Sequence, residues 1–510
     1  MFKTPNILVI QADQMTAKAL SLYGHKLVKT PNIDRLSDGG TVFENTYCNF
    51  PLCVPSRMSM LTGRYANSLA LWDNAIEMPA QVPTLAHHLR AQNYHTVLCG
   101  KMHFIGPDQV HGFNERITTD IYPSNFSWTP DWEVGERYRP TGINMRAVVD
   151  SGVCVRGLQL DYDDEVEHAG IQKLYDLARF NQDNPFLLWV SFTHPHSPYI
   201  TTNNYWEMYE HDSIDMPSVP ELSIEEMDTM SRWLYYAHAG DLHNVTESHI
   251  RNARHAYYGM CTYIDDKVGR LLDTLNKVGL EEDTVVVFTS DHGEMLGERG
   301  MWFKQSFYEW SVRVPLVIRI PGQQSKSRVS ELVSLVDLFP TFMDIATNGN
   351  MPDPVGGLDG NSLLPLIRGK GEWHNQVISE YTGEGVTAPC RMVRLDDVKF
   401  IYTHGHPDLM YDLANDPLEL DNLIGNPKYA DMELKLRAEI LKGWNPDTIK
   451  DSCILSQKER LLIQKTTNGV PNYAFKARFD DGERYIRNTS AVATKAKARY
   501  PFVEPTPFLP

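Results

Sequence analysis

The chain has 510 residues, room for one large domain and a smaller one, and its 42% hydrophobic and 22% charged residues are ordinary for a globular protein. A formal net charge of −17 disfavours a nucleic-acid partner, because an acidic surface without a basic stripe repels phosphates. No apolar run is long enough to span a membrane, and seven scattered cysteines do not read as the disulfide framework of a secreted protein. The N-terminus offers one Lys before a short apolar run and no small-residue cleavage site, so it reads as a strand and a cytoplasmic location is expected.

In chain order, residues 6–10 form the first apolar run, which ends at Asp13-Gln14. Thr30-Pro31 reads as the cap and first turn of a helix that Gly39-Gly40 stops. Residues 83–90 read as a helix feeding a second apolar run, 96–98, which ends at Gly100-Lys101-Met102-His103. Residues 163–181, apolar at Ile171, Leu174, Leu177 and Phe180, predict a helix before the run 186–192, which ends at His194-Pro195-His196. Met260, Ile264, Val268, Leu271, Leu275 and Val278 mark one helical face before the run 284–288, which ends at Asp291-His292-Gly293-Glu294. Residues 104–160 and 200–250 are polar, with aromatics and prolines, and read as insertions over the active face. After Trp373 the pattern changes to short strands at 377–381, 390–394 and 398–402, then a helix over 429–444.

Continuous apolar runs of this length are strands buried on both faces, as in a parallel sheet. Alternation with helices predicts an α/β fold: a doubly wound, mostly parallel sheet flanked by helices. The expected division is a catalytic domain over 1–375, a small α+β domain on an antiparallel sheet over 376–480, and a tail over 481–510. Ligands of open α/β sheets sit at the carboxyl ends of the strands, so Asp13, Lys101, His103, His196, Asp291 and His292 are expected around one site. The chain therefore reads as an enzyme.

Cys53-Val54-Pro55-Ser56-Arg57, followed by Thr62-Gly63-Arg64, matches the sulfatase signature Cys-x-Pro-Ser/Ala-Arg and Thr-Gly-Arg, and the chain resembles formylglycine-dependent sulfatases of the alkaline phosphatase superfamily. A buried structural cysteine is the plain alternative for Cys53 alone. The resemblance implies that Cys53 is oxidised to formylglycine, whose hydrate is the nucleophile, with Arg57 holding it. It gives Lys101 to the sulfate oxygens, His103 to the hydroxyls of residue 53, and His196 and Lys304 to the sulfate and leaving oxygen. It makes Asp13, Asp291, His292 and residue 53, with Gln14 a further candidate, the ligands of a divalent metal: Ca²⁺ first, Mg²⁺ or Mn²⁺ as alternatives. Asp13-Gln14 and Asp291-His292 depart from the commoner Asp-Asp and Asp-Asn, and they occur in choline sulfatases and phosphonate monoester hydrolases.

Similarity to choline sulfatases covers nearly the whole chain, including Trp72-Asp73-Asn74, residues 100–109, Trp128-Thr129-Pro130-Asp131 and Asp416-Pro417-Leu418-Glu419. A quaternary ammonium wants aromatic faces and a carboxylate, which makes Trp128 and Glu384 substrate-site candidates, and the resemblance adds Asn74 and His194. Asp73 is a second source of charge, Trp132 either a further face or packing for the insertion, and His194 either a substrate contact or a hydrogen-bonded support. Arg137, Arg139 and Arg146 stand where choline sulfatases are rich in aromatics, and they suit an anionic or sugar substrate if they reach the site. The expected activity is hydrolysis of a sulfate monoester, choline-O-sulfate first. A phosphonate monoester or phosphodiester hydrolase, a sulfatase for another small or sugar ester, and a non-catalytic binder of sulfated ligands are the rivals. Implied partners are the small substrate, a formylglycine-generating enzyme and a second copy of the chain in a dimer or tetramer.

Overall fold

The computed structural model describes residues 4–180, 184–323 and 326–467. Fourteen strands appear among them: β1 Asn6–Ala12, β2 Thr41–Tyr47, β3 His95–Gly100, β4 Glu115–Arg116, β5 Gly152–Cys154, β6 Phe186–Ser191, β7 Ile200–Thr202, β8 Thr284–Ser290, β9 Arg313–Arg319, β10 Ser327–Ser334, β11 Gln376–Tyr381, β12 Cys390–Leu395, β13 Val398–Thr403 and β14 Leu409–Asp412. Eight form one sheet in the order β10-β2-β9-β8-β1-β6-β3-β4, in which β9 alone runs antiparallel to its neighbours. β11 to β14 form a separate antiparallel sheet, and β5 pairs with β7.

The apolar runs are central strands because both of their faces are covered. Ile7 and Val9 of β1 enter one core layer, while Leu8, Ile10 and Ala12 enter the other. Leu187 and Trp189 alternate with Leu188 and Val190 in β6, and Val285 and Val287 with Val286 and Phe288 in β8. Each such fully buried side chain contributes roughly 1.5–3 kcal/mol. The four strands read from sequence are therefore contiguous, β8-β1-β6-β3, and their ends are level: Ala12 pairs with Ser290, Gln11 with Ser191, and Gly100 with Ser191. Gly100 has φ +99°, and a Cβ there would stand 1.9 Å from the Ser191 carbonyl oxygen, so only glycine lets β3 turn into Lys101.

β2, β9 and β10 extend the sheet beyond the expected strands. Glu44 and Asn45 in β2 and Pro315 in β9 interrupt their apolar patterns. The helix before β8 spans Glu247–Lys277, so it begins inside the expected insertion, and the helix before β6 spans Leu158–Phe180. The end of the latter expected at residue 181, and the tail 481–510, lie outside the described residues. The expected helix over 429–444 is Ala430–Leu441, and a second helix, Pro446–Thr466, follows it with Asn445 accepting from the Thr448 N–H at 3.1 Å. Among the described residues no helix is long and apolar enough to cross a membrane.

Candidate active site

Cys53 opens the helix Cys53–Thr62, every residue of which is buried beneath the strand ends. Leu52 is extended at the N-cap, and the Asn74 side-chain oxygen accepts from the Val54 N–H at 2.9 Å, satisfying a donor that the first turn leaves free. Gly63 ends the helix in the left-handed region at φ 66°.

Arg57 lies four residues along the same helix and is buried. Its Nε donates to Asp291 Oδ2 at 2.8 Å, one terminal nitrogen to Asp13 Oδ2 at 2.8 Å, and the other to the Lys101 carbonyl at 2.7 Å and Ser191 Oγ at 2.8 Å. The resemblance gives Arg57 to residue 53; the geometry commits it to the two carboxylates. Burial opposes its charge, but Asp291 and Asp13 outweigh that and hold it firmly protonated. Lys101 Nζ contacts Asp13 Oδ2, stands 3.5 Å from Cys53 Sγ, and lies 4.2 Å from the centre of the Tyr122 ring. Burial works against ionisation of Asp13 too, yet Lys101 and Arg57 hold its carboxyl well below the usual range.

His292 Nε2 lies 3.3 Å from Cys53 Sγ, 3.7 Å from Asp291 Oδ2 and 4.0 Å from Asp13 Oδ1. Its Nδ1 faces the Gly293 carbonyl at 3.1 Å, which fixes a tautomer with the Nε2 lone pair turned toward the carboxylates, as a metal-binding imidazole requires. Burial lowers its pKa and keeps that lone pair available. Asp13 Oδ1 is buried without a hydrogen-bond partner. One ligand atom from each of Asp13, Cys53, Asp291 and His292 falls within 4.8 Å of the others, and this set of hard oxygens with one imidazole fits a divalent cation. Gly293 is obligatory, because a Cβ there would stand 2.1 Å from the Trp310 carbonyl oxygen.

Gln14, at φ 62°, bridges two groups: its Nε2 donates to Glu294 and its Oε1 accepts from Lys304 Nζ at 2.6 Å. Lys304 Nζ also donates to His196 Nε2 at 2.6 Å, and His196 Nδ1 donates to the Ser197 carbonyl at 2.7 Å. Burial, then the Lys304 charge, push the His196 pKa well down, so this imidazole is neutral and accepts from Lys304. His103, at φ 62°, has both ring nitrogens unpartnered and stacks on Tyr122 at 5.2 Å. Asp120 fixes its backbone by accepting from the Met102 and His103 N–H groups at 3.0 and 2.7 Å.

These groups open on a cavity of about 350 Å³ lined by Cys53, Asn74, His103, Trp128, His196 and Lys304. Tyr122, Ile143, Ala147 and Gln159, none of them site candidates from sequence, complete its wall. Tyr122 touches Lys101, His103, Trp128 and His196. Residues of the insertion 104–160 line the cavity, and none from 200–250 is among its lining. His194 does not line the cavity: its Nδ1 is 2.6 Å from Asp163 Oδ2, which also accepts its N–H at 2.9 Å, so it supports the loop. Glu384 is also absent from the lining; both its oxygens are unpartnered, and burial pushes its carboxyl up to about 7. Asp73 is held by Arg460 at 2.6 and 2.7 Å. Trp132 is buried packing, with its N–H donating to Gln457. Arg137 and Arg139 pair with Asp241, and Arg146 with Asp150, outside the cavity.

A carboxylate pair, a buried cysteine at a helix start and cationic groups beside a cavity define a hydrolase for anionic esters. The family model for sulfatases matches residues 5–348, and that for the C-terminal part of N-sulphoglucosamine sulphohydrolase matches 297–445. The chain belongs to the sulfatase family, the formylglycine-dependent enzymes of the alkaline phosphatase superfamily. It is 38% identical over 507 residues to the choline-sulfatase of Rhizobium meliloti (strain 1021), covering 98% of both chains. It is 30% identical to arylsulfatase K of Bos taurus, over 92% of this chain and 87% of that one. The solved phosphonate monoester hydrolase of Agrobacterium radiobacter superposes with a TM-score of 0.69 at 26% identity, over 86% of this chain and 96% of that one. The protein is a sulfatase-type hydrolase whose buried Cys, Asp and His cluster suits a divalent metal and formylglycine.

Proposed function

We propose that the protein hydrolyses a small ester of a sulfur or phosphorus oxyacid, sulfate monoesters first, with oxidised Cys53 supplying the nucleophile. The observation that carries this is the packing of Cys53, Asp13, Asp291 and His292 within 4.8 Å of one another beside the cavity. Asp13, Asp291, His292 and residue 53 would hold the metal, Ca²⁺ with Mg²⁺ or Mn²⁺ as alternatives, which when bound neutralises charge on the ester oxygens. The formylglycine form of residue 53, made by a formylglycine-generating enzyme, supplies the attacking hydroxyl. Lys101 adds positive charge beside the same oxygens, and Arg57 keeps Asp13 ionised and holds Asp13 and Asp291 in place. Asp291 takes the proton of the attacking hydroxyl as the new bond to sulfur forms. Lys304 gives its proton to the departing alkoxide, with neutral His196 orienting it, and His103 takes a proton from the second hydroxyl of residue 53 to expel sulfate.

Choline-O-sulfate is the substrate the chain's resemblance favours, with Asn74 and Trp128 as contacts, Glu384 as the charge and His194 behind the wall. The comparisons back the wider reading better: relatives with choline, aryl and phosphonate ester names each cover most of the chain. Phosphonate monoester or phosphodiester hydrolysis is the second reading, favoured by the 26% identical solved enzyme. A cytoplasmic dimer or tetramer, with a catalytic domain over 1–375 and a small domain over 376–480, completes the proposal.

The test uses formylglycine-matured protein and four substrates: choline-O-sulfate and the sulfate, methylphosphonate and methyl-phosphodiester of 4-nitrophenol. Preference for either sulfate ester supports the first reading, and faster phosphonate or diester cleavage replaces it with the second. No turnover of any of them by matured, metal-loaded protein overturns both.

A further inference from the structure

The helix Pro446–Thr466 turns a polar face inward. Cys453, Gln457 and Arg460 are buried, and with Gln464 they follow the spacing of one helical face. The Arg460 guanidinium grips Asp73 with two parallel bonds, 2.6 and 2.7 Å, across 387 residues of sequence, and Asp73 is fully buried. Asp73 Oδ1 also accepts the Ala75 N–H at 2.9 Å, which shapes the turn carrying Asn74. Asn74 in turn receives the Val54 N–H and lines the cavity beside Cys53. On the same face Gln457 Oε1 accepts the Trp132 N–H at 3.0 Å, and Gln464 Nε2 reaches the Ser127 carbonyl at 3.5 Å. Those two bonds bracket Trp128, which lines the cavity on its other side.

Burying an ion pair gains little stability over an apolar packing of equal volume, whereas removing one partner leaves a costly unpaired charge. A bidentate guanidinium–carboxylate pair does fix two segments in register. We propose that Arg460 is a positioning residue: through Asp73, and with Gln457 and Gln464, it sets the separation of the Asn74 and Trp128 walls and so the fit of the ester's organic group. The charged groups at the site have a second hold, because Arg57, Asp13, Asp291, Lys101 and His292 bind one another.

The kinetic arm rests on the hydrolase reading. Formylglycine-matured, full-length Arg460→Met, Arg460→Lys and Asp73→Asn/Arg460→Met proteins are compared on 4-nitrophenyl sulfate and choline-O-sulfate, with rates normalised to formylglycine content. Arg460→Met should raise KM about tenfold with kcat within about threefold. Arg460→Lys, which keeps the charge without the fork, should fall between it and the parent. The double variant, which relieves the unpaired charge but still lacks the fork, should recover stability while keeping the raised KM, and a return to the parent's KM overturns the proposal. A structural role alone would lower the active fraction and hence kcat while leaving KM in place, and that pattern overturns the proposal. The second arm needs no substrate: hydrogen exchange should quicken in peptides covering 64–75 and 125–133 of Arg460→Lys and Arg460→Met, with β1 and β8 unchanged. Unchanged exchange at both walls overturns the strap even if every variant is active, and quickened exchange in the variants of a parent that turns over no ester upholds it while the hydrolase reading fails.

Discussion

Arg57 alone touches Asp13, Asp291, Lys101 and Ser191, whereas the opposite side of the cavity is built from the rings of Tyr122 and Trp128 and the apolar side chains of Ile143 and Ala147. The first region is charged, buried and cross-bonded, and its residues stand within a few positions of the ends of adjacent strands. The second is drawn from an insertion and is braced from behind by a helix near the end of the described chain. Chemistry held by a dense network should respond to substitution steeply in rate, and a wall held by packing should respond modestly in binding.

The largest effect should come from the network's centre. Cys53→Ala should lower turnover by at least about four orders of magnitude, because the nucleophile is lost while metal ligands and cations remain. The thermal midpoint should stay within a few degrees, since only one buried sulfur is removed. Initial rates and a melting curve on the same preparation check both; a residual rate within tenfold of the parent would break the distinction between the two regions.

Lys304 sits between them, bound to Gln14 on one side and His196 on the other. Lys304→Ala should cost roughly 10²–10⁴-fold on an alkyl sulfate, whose alkoxide needs a proton to depart, and less than about tenfold on 4-nitrophenyl sulfate. Equal losses on both esters would show that Lys304 serves charge neutralisation and belongs wholly to the network. Trp128→Ala should raise KM about tenfold for the preferred ester and leave kcat nearly unchanged, the size expected when an aromatic face is withdrawn from a partly buried group. A fall in kcat without a change in KM would place Trp128 with the catalytic groups.

The network was legible in the sequence because each of its residues follows a local signal. Apolar runs long enough to be two-sided strands end in Asp13, Lys101 and Asp291, and the Cys53–Arg57 spacing places both on one helix. The sheet's outer strands were not legible, since Glu44, Asn45 and Pro315 break the pattern that marks a buried strand. The bracing helix was missed for a related reason: its inward face is Cys453, Gln457, Arg460 and Gln464, so no apolar stripe announces it. Tyr122 and the pairing of Asp73 with Arg460 depend on contacts between distant segments, which composition and spacing do not encode. A long-range contact with Asp241 holds Arg137 and Arg139 outside the cavity, and an i,i+4 pair with Asp150 engages Arg146.

The effect furthest from turnover concerns Glu384, which lies behind the wall within electrostatic reach of Lys304 and Asp73. Burial, the main cause, pushes its carboxyl up to about 7, so the folded protein holds this proton more tightly than the unfolded chain does. Its contribution to stability is then fully present below about pH 4.5 and is lost as pH rises through about 7, by up to about 3 kcal/mol. Glu384→Gln keeps the volume and removes the titration, so the thermal midpoint of the variant should fall less between pH 5 and pH 8 than that of the parent. Identical pH profiles would show that the carboxyl is not held protonated at the cavity's edge. Choline chloride adds a discriminating arm, because an ammonium group held in the cavity favours the ionised form of the carboxyl behind its wall. It should therefore raise the parent's midpoint more at pH 8 than at pH 5 and lose that difference in Glu384→Gln. A choline shift that is the same at both pH values would assign any choline affinity to the rings of Tyr122 and Trp128 alone, and the outer wall would then select its ligand by shape without a counter-charge.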